Sequence, residues 1–284
     1  MTDIGSIPGG PGLIGITDAE FHDLALLVYD QFGIHLGDKK KALVRGRLNK
    51  VLKSRGLATF GLYLDLVRQD STGLALVELI DRISTNHTYF FRETDHFAFL
   101  EEVALAEIAR DAPREVRLWC AGCATGEEAY TLAMLCREWA ERHSFRGKFN
   151  ILATDISVTA LESAVKGEYS DERVRLVPLH LKTKYLTNLA PDRWSVAPSL
   201  RSMVLFKRLN FMDPAFPFHH AFHTIFCRNV MIYFDRETKN SLVQRLVPHL
   251  LPGRYLFIGH SETLGRETFG LEYVKPAVYR KAQP

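Results

Sequence analysis

Several features that would indicate a membrane or secreted protein are missing from this sequence of 284 residues. No apolar run reaches about 18 residues, the length that a membrane-spanning helix requires, and no charged, apolar and small-residue leader precedes the first predicted helix. The net charge is only +3, so overall electrostatics favours no particular partner. We therefore expect a cytoplasmic protein without direct membrane insertion.

Cysteine is scarce as well, with four residues at positions 120, 123, 136 and 227. All four lie in segments predicted to be buried, so we expect no disulfide in an intracellular protein. Cys120-x-x-Cys123 has neither a second cysteine pair nor a His-x-His partner, which favours small-residue packing beside a ligand over a redox or zinc site. His219, His220 and His223 lie in a loop rich in Pro and Phe without a carboxylate partner, so we expect surface histidines and no metal.

The dinucleotide-binding pattern Gly-x-Gly-x-x-Gly is also missing. In its place an apolar strand leads into Gly122-x-x-x-Gly126, and a helix with an apolar stripe follows. A second apolar strand at 149–154 ends on Asp155, a position at which α/β proteins bind the ribose hydroxyls of a nucleoside. Glu127 and Glu128 follow the loop directly and would repel a pyrophosphate. This arrangement favours the cationic cofactor S-adenosylmethionine over NAD or ATP.

The remaining chain predicts a fold of the α/β class. Further strands are expected at 203–209, 221–227 and 255–259, a helix at 235–250 with a turn at Pro252-Gly253, and a closing antiparallel pair at 271–274 and 277–281. Such a pair beside a parallel sheet is typical of methyltransferases. We therefore predict a small N-terminal helical domain followed by a Rossmann-like class I S-adenosylmethionine-dependent methyltransferase domain with an inserted small β subdomain.

The predicted boundaries follow from breakers and periodicity. Residues 1–16 are rich in Gly and Pro and form a predicted disordered tail. Thr17 and Glu20 make a capping box that opens a helical domain at 17–83, with helices at 18–32, 38–55, 59–69 and 73–83. An aromatic linker at 84–93 is expected to pack over the nucleotide site, and the methyltransferase domain takes 94–284. Within it, about 169–202 loses helical periodicity and is interpreted as the antiparallel β insertion.

The second predicted helix, at 38–55, has eight basic residues against one acid. On a helical wheel one stripe is apolar and the opposite face is basic, formed by Lys39, Arg47, Lys50 and Lys53. A solvated face normally mixes charges of both signs. An acidic partner is therefore favoured over a merely soluble face, and the candidates are a protein helix bearing glutamates, nucleic acid or a membrane surface.

Five motifs carry a resemblance to a known family. They are Ser84-Thr-Asn-His-Thr-Tyr-Phe-Phe-Arg92, Gly126-Glu-Glu128, Ala153-Thr-Asp155, Phe226-Cys-Arg-Asn-Val-Met-Ile-Tyr-Phe234 and Gly259-His-Ser-Glu262. Their order and spacing resemble the CheR family, the chemotaxis receptor protein-glutamate O-methyltransferases, over residues 18–281.

The resemblance implies S-adenosylmethionine as cofactor and S-adenosylhomocysteine as product. It implies cofactor contacts from Asn86, Thr88, Arg92, Glu128, Asp155, Asn210, Phe211, Arg228 and Asn229. It also places Arg92 and Tyr233 beside the transferred methyl group and the substrate. In the family, the basic helix lies along the methylated helices of the receptor; this maps to Arg47 and Lys53, and Lys50 lies on the same helical face.

The implied function is methyl transfer to glutamate carboxylates in the cytoplasmic helical region of chemotaxis receptors, for sensory adaptation. A carboxylate is ionised at neutral pH and needs neither a general base nor a metal. We therefore expect Arg92 to hold one substrate oxygen and Tyr233 to orient the sulfonium or the carboxylate. The alternatives are methylation of a non-chemotaxis protein by the same domain and a non-catalytic scaffold that binds S-adenosylmethionine. No nucleic-acid partner is expected, and the protein is expected to be a monomer.

One departure from the family concerns the β insertion. Some members bind a pentapeptide at the receptor's C-terminal tail through a glycine-rich loop there. The equivalent segment at 185–195 has no glycine and contains Pro191, so it lacks easy access to positive φ and one backbone donor. We expect this protein to act without pentapeptide tethering.

Overall fold

The computed structural model describes residues 12–111, 114–265 and 269–283. The chain divides into two compact units, one made of Met1–Gln31 and His35–Ser84 and the other of Phe32–Ile34 and Thr85–Pro284. Residues 1–11 of the predicted tail lie outside the described residues. Ile14 exchanges two hydrogen bonds with the side chain of Asn49, and Ile16 is buried. The last residues of the predicted tail, from Ile14 onwards, therefore pack against the helical unit.

The first unit is helical. Its helices are α1 (Asp18–Phe32, whose last residue belongs to the second unit), a 3-10 turn (Asp38–Lys40), α2 (Lys41–Ser54), α3 (Phe60–Gln69) and α4 (Leu74–Ile83). The capping box is present, because the Thr17 hydroxyl accepts from the Glu20 N–H at 3.2 Å and the Glu20 carboxylate accepts from the Thr17 N–H at 2.9 Å. The apolar stripe of α2 is buried as predicted, with Val44, Leu48, Val51 and Leu52 inside.

The second unit contains a seven-stranded sheet in the order β6-β2-β1-β7-β8-β10-β9. The strands are β1 (Glu115–Ala121), β2 (Lys148–Asp155), β6 (Val204–Arg208), β7 (Phe222–Cys227), β8 (Leu250–Ile258), β9 (Leu271–Lys275) and β10 (Val278–Lys281). The first five in spatial order pair in parallel, and β10 is antiparallel to both β8 and β9. The predicted class of fold is confirmed, including the closing antiparallel pair.

Helices cover both faces of this sheet. Alternate residues of β1 enter different cores: Leu118 and Cys120 pack with α7 (Glu127–Arg142), whereas Trp119 and Ala121 pack with α12 (Arg236–Leu246). The helices that accompany the seven-stranded sheet are α5 (Thr94–Phe99), a π-helical turn (Leu100–Ala104), α6 (Leu105–Arg110), α7 (Glu127–Arg142), α8 (Val158–Lys166) and α12 (Arg236–Leu246). None of the described helices is both long and apolar enough to span a membrane.

The insertion forms a second, three-stranded antiparallel sheet, as predicted, in the order β3-β5-β4. Its strands are β3 (Glu168–Tyr169), β4 (Leu186–Ala190) and β5 (Arg193–Val196), accompanied by the short helices α9 (Asp171–Val174), α10 (Leu179–Tyr185) and α11 (Pro198–Arg201). The helices were not expected, because the three prolines of this region suggested irregular structure. In the structure, Pro178 and Pro198 lie at helix starts, where a missing N–H is tolerated.

Two predicted boundaries around β8 were wrong. The helix that begins after Asp235 ends at Leu246, and a 3-10 turn (Val247–His249) follows. The predicted turn at Pro252-Gly253 lies inside β8, where Gly253 has a φ of 70° and the register against β7 shifts. The two residues form an irregularity within a paired strand and do not end it.

Candidate active site at the carboxyl ends of the parallel strands

The glycine loop between β1 and α7 is fastened to the end of β2. The backbone N–H groups of Gly122 and Cys123 both donate to the carbonyl of Thr154, at 2.8 and 2.9 Å. Gly122 has a φ of 85°, and a Cβ there would lie 2.2 Å from Cγ2 of Val230. A side chain at this position would therefore both strain the backbone and push the loop away from the next segment of the site.

Asp155 lies at the end of β2, as predicted, and its carboxylate holds the surrounding backbone. Oδ2 accepts from the N–H of Ala124 at 2.7 Å, and Oδ1 accepts from the N–H of Ser157 at 2.9 Å. The side chain thus ties the glycine loop to the start of α8. A carboxylate can accept several hydrogen bonds at once, which is the property that a ribose-binding position requires.

The two acidic residues that open α7 have different surroundings. Glu127 is fully buried; its carboxylate lies 3.0 Å from the Arg173 guanidinium and accepts from the Thr125 hydroxyl at 2.7 Å. Glu128 accepts from Nη1 of Arg228 at 2.8 Å. Burial raises the pKa of both carboxyls, and the arginine beside each opposes that rise. The sequence suggested the same role for both residues, as negative charges beside the ligand. In the structure, Glu127 instead binds Arg173 and Thr125 inside the protein.

Arg228 lies inside the protein with a fully buried side chain. Its guanidinium donates to Glu128, to Glu93 at 3.0 Å and to the backbone carbonyl of Arg92. This residue was predicted to contact the cofactor, and the structure shows it as the partner of two carboxylates. Glu93 was not predicted as a site residue, although it directly follows the Ser84–Arg92 motif.

Asn229 follows in the left-handed region, with a φ of 59°. Its side-chain amide donates to Glu93 at 3.0 Å, and its backbone N–H donates to Glu262 at 3.0 Å. A Cβ on Gly259 would lie 2.4 Å from Nδ2 of Asn229. The glycine of the Gly259–Glu262 motif therefore allows the ends of β7 and β8 to approach each other closely.

Residues 85–93 contribute the aromatic side of the site. Phe90 is fully buried, with its ring 5.0 Å from that of Tyr169. Asn86 donates to the hydroxyl of Ser157 at 3.3 Å. Arg92 donates to the carbonyl of His87 at 3.1 Å, and its side chain is partly exposed.

The remaining predicted site residues lie at neighbouring strand ends. Asn210 follows β6 and accepts from the N–H of Met212 at 3.0 Å, while the half-buried Phe211 packs 6.5 Å from the Trp119 ring. The Tyr233 hydroxyl, in a 3-10 turn (Met231–Tyr233), lies 3.5 Å from the carbonyl of Thr85. Thr88 is half-buried.

One of the three histidines at 219–223 differs from the sequence-based expectation. His219 and His220 are exposed as expected, but His223 is buried, and its Nδ1 accepts from the N–H of Arg117 at 3.1 Å. Burial, with the positive charge of Arg117, lowers the pKa of His223 to about 4. The prediction was wrong for His223 because this residue lies within β7, all of whose residues are buried, and not in the preceding loop.

Glu93, His96 and His260 form a cluster of potential metal ligands, whose ligand atoms lie within 4.8 Å of one another. Burial, assisted by the charge of Arg228, lowers the pKa of His96 to about 3, so this ring is neutral. Yet Oε2 of Glu93 already accepts from Arg228 and from the His260 N–H. The guanidinium opposes a second cation at that oxygen, so we assign no metal to this cluster.

The basic residues on α2, in the first unit, differ in their exposure and in their contacts. Lys50 and Lys53 are exposed. Arg47 is half-buried, and its guanidinium donates to the carbonyls of Ile83 and Ser84 at the end of α4. Arg47 thus stabilises the carboxyl end of that helix, where cations are favourable.

Comparison with known proteins identifies the family. The models of two CheR methyltransferase domains match this chain, the all-alpha domain at residues 19–84 and the SAM binding domain at residues 86–279. The chain belongs to the CheR methyltransferase family. A chemotaxis protein methyltransferase of Borreliella burgdorferi is 46% identical over 94% of this chain and 96% of its own length. The chemotaxis protein methyltransferase of Escherichia coli is 36% identical over 88% of this chain and 86% of its own length.

The site residues fit S-adenosylmethionine, the cofactor of the CheR family. Gly122 lets the loop pack closely against Val230, Asp155 places a carboxylate at the end of β2, and the half-buried Glu128 is an acidic group that suits a cationic ligand. The strand order changes direction at β1 and β7, which is where ligands bind in open α/β sheets.

Proposed function

We propose that this enzyme transfers the methyl group of S-adenosylmethionine to glutamate side chains of chemotaxis receptors, leaving S-adenosylhomocysteine and a glutamate methyl ester. The observation that carries the proposal is the position of Arg92. Its carbonyl accepts from Arg228, which in turn binds Glu128 beside the glycine loop. These bonds hold the backbone of Arg92 beside the proposed cofactor site. The guanidinium of Arg92 is partly exposed there and can bind a carboxylate.

The bound cofactor supplies an electrophilic methyl group on a sulfonium. A glutamate carboxylate is ionised at neutral pH, so its oxygen can form the new C–O bond as the S–C bond breaks, and no proton has to move. Arg92 would hold one carboxylate oxygen through its planar fork and leave the other oxygen facing the methyl group. Tyr233 would orient the carboxylate or the sulfonium. The contribution of the protein is mainly positioning, which can supply on the order of 7 to 11 kcal/mol.

The proposed partner is the cytoplasmic helical region of the receptors, which the exposed basic face of α2 would contact. Lys50 and Lys53 are exposed cations on one helical face, and receptor helices that carry methylatable glutamates are acidic. Arg47 contributes charge to this face while it is bound to the end of α4. We propose a monomer that requires neither nucleic acid nor membrane insertion for this contact.

We further propose that no receptor tail peptide is bound. Strand β4 is at the edge of the three-stranded sheet, and its pairing with β5 shifts register between Asn188 and Ala190. An irregular edge strand is a poor template for an added strand. Pro191 lies in the hairpin turn and therefore does not affect the edge, so the bulge rather than the proline supports this proposal.

The test is transfer of a tritiated methyl group into receptor-rich membranes, with the release of volatile label in base as the sign of a carboxyl ester. Base-labile label in the receptor band supports the proposal, and Arg92→Lys protein serves as the matched weakened enzyme. Base-stable label, or label in another protein, would favour a different acceptor. Cofactor binding without any transfer would favour a scaffold.

A further inference from the structure

Two acidic residues beside Arg228 and Asn229, Glu93 and Glu262, have no role in the proposed chemistry. Glu93 ends the segment at 85–93 and has a φ of 58°. Its Oε1 accepts from the side-chain amide of Asn229 at 3.0 Å. Its Oε2 accepts from Arg228 at 3.0 Å and from the backbone N–H of His260 at 3.2 Å. One carboxylate therefore connects three segments: the 85–93 segment, the end of β7 and the end of β8.

Glu262 is the second of these side chains and is only 3% exposed. Its Oε2 accepts from the backbone N–H groups of Asn229 at 3.0 Å and Gly259 at 2.6 Å. Its Oε1 accepts from the N–H of Ile232 at 3.1 Å. These bonds hold the turn that carries Tyr233, and they join it to the segment after β8.

Both carboxylates converge on Arg228–Asn229, which we call the β7 corner. The corner contains a buried guanidinium and an asparagine in the left-handed region, two features that persist only where the surroundings impose them. Glu128 supplies one of the two carboxylates that bind the guanidinium, and Glu93 supplies the other. The Asn229 backbone and side chain are each held by a different one of the two acids, Glu262 and Glu93.

We propose that Glu93 and Glu262 are positioning residues that hold the β7 corner in the geometry that binds the cofactor. They act through Arg228 and Asn229 and do not need to touch the cofactor themselves. The inference depends on cofactor binding and not on the identity of the methyl acceptor. Its failure is therefore distinguishable from failure of the proposed function.

The pKa values of the two acids shift in opposite directions. Burial raises the pKa of Glu93, but the hydrogen bond from Asn229 and the charge of Arg228 outweigh burial and leave the pKa below its usual range. Glu93 is consequently an ionised acceptor. For Glu262, burial outweighs the hydrogen bonds from the Gly259 and Asn229 backbone, and the pKa is raised.

The experiment compares Glu93→Gln with Glu107→Gln in the full-length protein. Glu107 is a matched control, because it is also half-buried and accepts from an arginine, Arg280 at 3.1 Å, and from the Tyr255 hydroxyl at 3.0 Å, while it contacts none of the corner. Calorimetry measures the Kd of S-adenosylmethionine and of S-adenosylhomocysteine, and a melting scan measures Tm. We expect Glu93→Gln to weaken both ligands about tenfold or more, and Glu107→Gln to leave both Kd values unchanged.

The comparison of the two ligands separates positioning from simple charge. S-adenosylmethionine carries a methyl group and a positive charge on sulfur that S-adenosylhomocysteine lacks. Weaker binding of S-adenosylmethionine alone would therefore show that Glu93 acts as a nearby negative charge, and would overturn the proposal. A lower Tm with unchanged Kd values would show a merely structural role and would also overturn it.

A double-mutant cycle tests the route through the corner. If Glu93 acts through Asn229, the double variant Glu93→Gln/Asn229→Ala should bind the cofactor no more weakly than the weaker single variant. Additive losses would refute that route. Should Glu93→Gln fail to fold, Glu262→Gln is measured in the same way, with the same expected weakening of both ligands, and wild-type affinity would overturn the proposal.

Discussion

The basic face of α2 provides the most discriminating test of partner binding, because its members are not equivalent. Arg47 donates to the carbonyls of Ile83 and Ser84, whereas Lys50 and Lys53 are exposed. Reversal of Arg47 to Glu would leave those carbonyls without their donor and bring a carboxylate to a helix end that already carries partial negative charge. A variant that includes this change would mix loss of docking with loss of folding. We therefore use Lys50→Glu/Lys53→Glu, in which both altered side chains are exposed, and measure Tm because Lys53 lies in the last turn of α2.

The expected magnitude follows from Coulomb's law in a solvent-like medium. Reversing one lysine changes its charge by two units, so at roughly 7 Å from a receptor carboxylate the interaction changes by about 1 kcal/mol. Two reversals give about 2 kcal/mol, or roughly a thirtyfold higher receptor KM at low salt. Above about 0.5 M salt the Debye length falls to roughly 4 Å, and most of this difference should disappear.

The assay measures initial methyl-transfer rates against receptor concentration at low and high salt, together with the cofactor Kd and Tm. The control is Lys148→Glu/Lys166→Glu, which makes the same change in net charge at two exposed lysines of the second unit. We expect the control to change KM by less than about threefold, and the α2 variant to keep its cofactor Kd. An unchanged KM at low salt in the α2 variant would refute docking through this face. Arg47→Ala should instead lower the stability by about 1.5 to 3 kcal/mol.

Four further predictions concern the second unit and the receptor. Asp155→Ala should weaken the cofactor by roughly 1.5 to 3 kcal/mol and also lower Tm, because the N–H groups of Ala124 and Ser157 lose their acceptor; unchanged affinity by calorimetry would contradict the assigned site. Arg92→Lys keeps the charge but loses the planar fork, so kcat should fall much more than receptor KM changes, and wild-type turnover would remove Arg92 from the substrate role. Titration with the receptor tail pentapeptide should give no heat, and removal of the tail should leave the methylation rate unchanged; micromolar binding would reverse this inference. The folded pKa of His96, about 3, lies below its unfolded value of 6.5, so the unfolded chain binds more protons as pH falls. Between pH 6.5 and 5 the wild type should therefore lose about 1.6 kcal/mol more stability than His96→Phe. An equal pH dependence of the urea-unfolding free energy in the two proteins would show that this histidine does not titrate on unfolding.

The cofactor loop and the positions of the main strands along the chain followed from the sequence because they depend on local patterns. A glycine loop between an apolar strand and an amphipathic helix fixes where a backbone turns, and a carboxylate at the end of a strand lies at the carboxyl edge of the sheet. The same holds for the capping box at Thr17 and Glu20, whose members are three residues apart.

The contacts that shape the site could not be inferred in this way, since their partners are far apart in the chain. Glu93 meets Arg228 across 135 residues, and no local pattern specifies which carboxylate a buried guanidinium will find. The burial of His223 likewise depends on its place beside β1, whereas His219 and His220, a few residues before it, are exposed.

The sequence by itself therefore determined the fold class, the cofactor loop and the position of Asp155, because each is encoded within one strand, turn or helix. Only the tertiary structure decided that Arg47 binds the end of α4 and that Arg228 is enclosed by Glu93 and Glu128. Hydrogen bonding and desolvation between distant segments set these roles, and both depend on which surfaces the folded chain brings together.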